Sequence, residues 1–236
     1  AYHATVGRPM TAAWATFARA GVNSVGVMPP ACHAGAMDMT PVDWAVGEWT
    51  HAPASVVVEG GALVVGAVEG SDAWRVTSYG FTHDSEHGLL APLPQDAAVE
   101  VTFVVDYAEQ FDQAGVLLRA AEDRWIKAGV EVADGVPQVG AVVTNPVSDW
   151  SVGPVPAWVG RSVTVRASRS GDAVTIRAGI AGEPLRLVRV APFPADAAVE
   201  AGPYCCAPTR AGLVVRFTRW APGPAATADP ACAGQP

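Results

Sequence analysis

Lysine occurs once in this chain, at position 127, among 15 lysines and arginines. It sits in the run 124–132, RWIKAGVEV, whose alternation reads as a β-strand. Ile126, Ala128, Val130 and Val132 fall on one face, and Trp125, Lys127, Gly129 and Glu131 on the other. An ammonium and a carboxylate sharing a strand face can do two kinds of chemistry. They can hydrogen-bond the hydroxyls of a ligand, or the carboxylate can serve as a general base while the ammonium stabilises an oxyanion. The bland alternative is an ion pair of Lys127 with Glu131 or a cross-strand acid on a solvated sheet face. A lysine beside Glu131 is expected to depress its carboxyl pKa, which suits a base or nucleophile better than an acid.

The preceding run, 113–120 (QAGVLLRA), splits the same way: Ala114, Val116 and Leu118 face the core, and Gln113, Gly115, Leu117 and Arg119 face out, with Asp112 at the strand's start. Glycines 115 and 129 on the outer face either leave floor space for a ligand or mark a bulge or close backbone crossing. The run 74–83 (WRVTSYGFTH) reads as a third strand, placing Arg75, Thr77, Tyr79, Phe81 and His83 on one parity. Such an aromatic and polar face suits a sugar, whose C–H face stacks on rings while its hydroxyls take directed hydrogen bonds. Residues 144–152 (TNPVSDWSV) read as a loop carrying Ser148, Asp149 and Trp150, either to orient a saccharide or as a turn with Trp150 lying on the core. His83, Asp84, Glu86 and His87 read as one polar, solvated loop without an identifiable fourth ligand, so no metal site is expected.

Glycoside hydrolysis needs two carboxyls, about 5–5.5 Å apart for retention or about 6.5–9.5 Å for inversion. Asp112, Glu131 and Asp149 are the candidates, but the alternating acids of an ExDxxE-like strand are missing, and so is a GxSxG elbow. A standard retaining glucanase is disfavoured.

The elements that must position these residues follow from composition. The chain has 236 residues, half of them apolar and 16% charged, with 24 Gly and 20 Pro. That is enough apolar material for a core, broken into many short strands by turns. About a dozen strand-like runs lie between Val46 and Trp220, predicting a two-sheet antiparallel sandwich rather than βαβ units. The net charge of −8 argues against nucleic acid or an anionic membrane as partner. No glycine-rich phosphate loop leads into a helix pattern, so no cofactor is expected. The cysteines, Cys32, Cys205, Cys206 and Cys232, lack metal-binding spacing. Idle thiols in a reducing cytoplasm are the expected state, with two disulfides in an exported form as the alternative. Residues 1–45 form a partly helical or irregular extension, with a short helix expected over Thr11–Ala20, and residues 221–236 a Pro/Ala-rich tail. Ala1–Val27 carries no continuous apolar signal-peptide core.

The runs WRVTSYGF (74–81), FDQAGVLLR (111–119), WIKAGVE (125–131) and VT…SDWSV (143–152), followed by GPYCCAP (202–208) and GLVVRF (212–217), resemble the regulation-of-enolase protein family. The resemblance spans about Val46 to Thr218. It implies a concanavalin-A-like lectin/glucanase jelly roll, with shared residues on its concave sheet at Trp74, Tyr79, Phe81, Asp112, Gln113, Arg119, Trp125, Lys127, Glu131, Thr144, Ser148, Asp149 and Trp150. It implies little about activity. The leading expectation is a carbohydrate-binding protein in which Tyr79, Trp125 and Trp150 stack on sugar and Gln113, Lys127, Glu131 and Asp149 hydrogen-bond its hydroxyls. The alternatives are a glycoside-directed enzyme using Glu131 or Asp112 with Lys127, and a regulatory module that binds a protein partner.

Overall fold

The computed structural model describes residues 39–225, so the readings made for the N-terminal helix, the C-terminal tail, Cys32 and Cys232 lie outside the described residues. Numbered along the chain, the strands are β1 (Glu48–Trp49), β2 (Ser55–Glu59), β3 (Ala62–Gly66), β4 (Ala73–Arg75), β5 (Thr82–Asp84), β6 (His87–Pro92), β7 (Ala97–Val104), β8 (Gln113–Ala121), β9 (Arg124–Ala133), β10 (Val136–Thr144), β11 (Ser148–Pro154), β12 (Ser162–Ser170), β13 (Ala173–Ile180), β14 (Arg186–Pro192), β15 (Glu200–Cys206) and β16 (Val214–Pro224). They form the expected antiparallel sandwich of two seven-stranded sheets. One sheet runs β1-β6-β15-β8-β9-β10-β11 and the other β14-β13-β12-β7-β16-β3-β2, with β4 and β5 as a separate hairpin.

Alternation decides what each sheet buries. Leu118, Ile126, Ala128 and Val130 of the first sheet face the core, as their strand parities predicted, and pack against Val101, Phe103, Val165 and Ile176 of the second. The opposite face of the first sheet departs from the expected polar groove. Leu90, Leu117, Trp125, Val142, Tyr204 and Cys206 form a second apolar cluster there, roofed by Ala73 and Trp74 from the hairpin, with Trp150 packed against it. The first sheet is thus buried on both faces around its middle strands. The adjacent cysteines divide between the two: Cys205 joins the main core and Cys206 the second cluster, both as buried free thiols.

Three sequence readings of local structure change. Residues 74–83 form two short strands joined by a tight turn at 76–81, not one strand, because Val76 (φ 65°), Ser78 (φ 65°) and Gly80 (φ 74°) take left-handed conformations that reverse the chain. Ser148 to Trp150 begin β11 rather than lying in a loop, since the 145–147 turn is tight enough for β11 to pair with β10 from Thr144↔Ser148 onward. His87 belongs to β6, where its ring accepts from the Val68 N–H and contacts the His51 carbonyl.

Gly115, Gly129 and Gly140 stand in register across β8, β9 and β10. A Cβ on Gly129 would collide with the carbonyl oxygen of Ala114, and one on Gly115 with that of Ala128. Close approach of the strands, rather than room for a ligand, is what requires glycine here. Gly129→Ala is expected to destabilise the fold by about 1–3 kcal/mol through backbone displacement. Urea denaturation measures this, and a midpoint equal to wild type contradicts the close approach.

Candidate functional site

Register sets up the site. Lys127 stands between Leu117 and Val142 across β8-β9-β10, and Glu131 stands between Gln113 and Gln138. Surrounded by the second apolar cluster, the Lys127 side chain is 3% exposed. Such burial requires a partner for the ammonium. That partner is Asp72, from the segment leading into β4: Lys127 Nζ donates to Asp72 Oδ1 at 2.7 Å. The Ala73 N–H (2.8 Å) and Gln113 Nε2 (3.4 Å) donate to the same oxygen. Burial is the largest single influence and lowers the Lys127 pKa, but the acidic groups around it, Asp72 foremost, together raise it above the ordinary value. The pairing expected with Glu131 is replaced by one with a residue 55 positions away.

The expected depression of the Glu131 carboxyl is reversed for the same reason. Burial raises its pKa from 4.5 to about 7, a shift reinforced by the Asp72 charge and opposed by Lys127 and the Trp150 indole. Trp150 Nε1 is near enough to favour the carboxylate, yet it is buried without a partner in hydrogen-bond geometry.

Lys127, Glu131 and Asp72 open onto a cavity of about 330 Å³. Its walls include Trp74, Tyr79, Phe81, Phe111, Trp150 and His83. Tyr79 stacks on Phe81 with ring centroids 5.4 Å apart, Phe81 meets His83 edge-on at 4.8 Å, and Trp74 lies 5.6 Å from Tyr79. The hairpin that carries this wall is pinned to the first sheet by the Arg75 N–H, which donates to Ser148 Oγ at 2.9 Å. Within the hairpin, Trp74 Nε1 donates to the Thr77 carbonyl at 3.1 Å. Phe111, whose φ of 66° is costly for an aromatic residue, lies on the same cavity.

Of the residues singled out in the sequence, Trp74, Tyr79, Phe81, His83, Lys127, Glu131 and Trp150 meet at this cavity. The others take supporting positions. Trp125 is 2% exposed inside the second cluster, beneath rather than beside the cavity. Arg119 is held by Asp84 (2.7 Å) and the buried Glu86 (2.7 Å). Asp112 is buried against Arg210, whose Nε lies 3.0 Å from its Oδ2, and does not line the cavity. Asp149 follows the alternation of β11 to the side away from Trp150 and pairs with Arg189 of the second sheet at 2.9 Å. Gln113 steadies Asp72, and Ser148 bonds Thr144 and the hairpin. Asp72 and Phe111 were missed. An isolated acid before a strand has no local signature, and the only clue was that a buried lone lysine must have an acid somewhere.

Two packed antiparallel sheets with this site on the outer face of one of them define a β-sandwich of the jelly-roll kind. The chain belongs to the protein family of unknown function DUF1349, which its residues 49–224 match. It is 36% identical over 174 residues to the "Regulation of enolase protein 1" of Saccharomyces cerevisiae, covering 74% of this chain and 87% of that protein. The fold is similar to the crystal structure of a functionally unknown protein from Saccharomyces cerevisiae, with a TM-score of 0.73, 33% identity, and coverage of 78% of this chain and 98% of that one. It is also similar to the xylan beta-1,4-xylosidase of Bacillus halodurans C-125, with a TM-score of 0.61, 12% identity, and coverage of 77% of this chain but 38% of the enzyme. At that identity the likeness is one of fold.

Asp72→Asn leaves the buried ammonium without its counter-charge and is expected to cost about 3–5 kcal/mol. Lys127→Met leaves a carboxylate that keeps other donors and is 19% exposed, so a smaller loss of about 1–3 kcal/mol is expected. The double variant is expected to lose less than the sum, and strictly additive denaturation midpoints contradict the pairing. Glu131 gives a pH signature. Because its folded pKa is raised, the folded state binds the extra proton between pH 4.5 and about 7, and stability falls as pH rises through that window. Glu131→Gln cannot ionise, so the melting temperature of wild type should fall relative to Glu131→Gln from pH 4.5 to 7 and run parallel above it. A constant difference contradicts the raised pKa.

Proposed function

We propose that the chain binds a saccharide in this cavity. The observation that carries the reading is the union, in one cavity of about 330 Å³, of an aromatic wall with a polar base formed by Lys127, Asp72 and Glu131. The rings offer stacking surface to the C–H faces of a sugar, and the ammonium and carboxyl offer fixed donors and acceptors to its hydroxyls. Lys127 makes one hydrogen bond to Asp72, which leaves ammonium protons for a ligand oxygen. Backbone strain supports the same reading: Val76, Ser78 and Phe111 hold positive φ in the segments that wall the cavity, each at a cost of about 1–3 kcal/mol. The likeness of this chain's fold to a xylosidase supports sugar chemistry by analogy alone.

An enzymatic reading has one specific observation behind it, the Glu131 carboxyl poised at about 7 on the cavity wall, where a general acid or base works best. A regulatory role, which the name of the yeast relative suggests for that protein, would here draw on another surface for binding a protein partner. Val56, Val57 and Val58 are exposed along β2, the edge strand of the second sheet.

Calorimetric titration with neutral mono- and oligosaccharides, xylo-oligosaccharides among them, followed by chromatography of the recovered ligand, tests these readings. Tyr79 and Phe81 are 57% and 44% exposed, so Tyr79→Ala and Phe81→Ala should leave the melting temperature nearly unchanged while weakening binding about tenfold each, near 1.4 kcal/mol. Intact ligand supports a binding protein. Consumption that falls at least a hundredfold in Glu131→Gln supports an enzyme. Binding that is indifferent to both aromatic substitutions contradicts a site in this cavity.

A further inference from the structure

The charges around the cavity bear on which class of sugar it takes, and the step rests on the saccharide reading. Lys127 and Asp72 share the cavity as a pair at 2.7 Å, so the lysine's charge is already matched. Glu131 lies on the same cavity and has no ion-pair partner among the described residues. The groups around it do not supply one. Its cross-strand neighbours on β8 and β10 are the uncharged Gln113 and Gln138. From β15, burial holds Tyr204 and Cys206 protonated, with pKa values well above their ordinary ones. From the hairpin come Tyr79 and His83, and from β11 the Trp150 indole.

We infer that the saccharide carries a protonated amine, seated between the Glu131 carboxylate and the surrounding aromatic rings. The rings present negative faces that attract a cation. An anionic sugar meets two carboxylates and a lysine whose charge Asp72 already balances. A neutral sugar leaves Glu131 uncompensated whenever it ionises, whereas an ammonium supplies the missing charge. The net charge of −8 draws cations toward the molecule in the same sense.

Proton linkage gives this a sign. A bound ammonium favours ionised Glu131, so binding below neutrality releases a proton, and affinity rises with pH by up to tenfold per unit towards pH 7. An anionic ligand would take up a proton instead, and a neutral one would leave the balance nearly unchanged.

The experiment is calorimetric titration of the full chain with glucosamine, N-acetylglucosamine, glucose and tetramethylammonium between pH 5.5 and 7, in two buffers of different ionisation enthalpy. The expected result is glucosamine binding at least tenfold tighter than the other two sugars at pH 7, with proton release at pH 6. Glu131→Gln should remove both the preference and the release, and a cooperative thermal unfolding transition shows that the variant is folded. Equal affinities for all three sugars, or proton uptake, overturn the amine inference and leave the saccharide reading standing. Binding of tetramethylammonium with no binding of any of the sugars supports a cation site and overturns the saccharide reading. No binding of any probe overturns both.

Discussion

A lysine ammonium buried in an apolar cluster is tolerable only if a carboxylate reaches it, and the 2.7 Å contact between Lys127 and Asp72 meets that demand. The consequences spread outward from the pair. Asp72 must be delivered from outside the sheet, so the chain before β4 is drawn over the outer face of β8-β9-β10 and fixed there by Lys127 and Gln113, while the adjacent Ala73 N–H orients the carboxylate. The hairpin that follows brings Trp74, Tyr79 and Phe81 with it, and Arg75 fastens it to Ser148 on β11. Glu131, already on the same strand face as Lys127, is shut in by this roof and loses much of its solvation, which is why its carboxyl rises to about 7 despite a lysine nearby. Desolvation outweighs the attraction because the lysine's field is largely answered by Asp72.

The sandwich was legible in the sequence because its strands alternate cleanly over the main core. The burial of Ile126, Ala128 and Val130 follows from parity alone, and the structure sets them against Phe103 and Val165. The outer face was half legible. Parity put Lys127, Glu131, Leu117 and Trp125 on one side correctly, but a strand buried on both faces looks the same as one with a solvated groove when neither roof nor partner is visible. Trp125 and Arg119 were therefore read as facing a ligand when they support the ground beneath it. Tyr79 and Phe81 reached the site for a reason other than the one the alternation suggested, because positive φ at Val76 and Ser78 folds them back in a turn. Asp149 shows the opposite failure: read as part of a loop it could face anywhere, whereas as a residue of β11 it must point away from Trp150, towards Arg189.

Membership of DUF1349 and the fold likeness to a xylosidase place the architecture without deciding the chemistry. The chemistry rests on which side chains the roof encloses. Asp112, a natural candidate for a second catalytic carboxyl, is committed to Arg210 elsewhere, so the carboxyls within the cavity are Asp72, tied to Lys127, and Glu131. One committed acid and one available acid, faced by aromatic rings, suit recognition of a sugar, and Glu131 is the group through which pH would govern it.

Because the chain contains a single lysine, selective labelling of the lysine side-chain nitrogen gives one Lys Nζ resonance that reports directly on the base of the cavity. The account predicts that this signal stays in the ammonium form well above the ordinary lysine pKa of 10.5 and shifts when a bound saccharide is titrated in. A resonance that titrates near 10.5 and is indifferent to saccharides that the protein binds would contradict it.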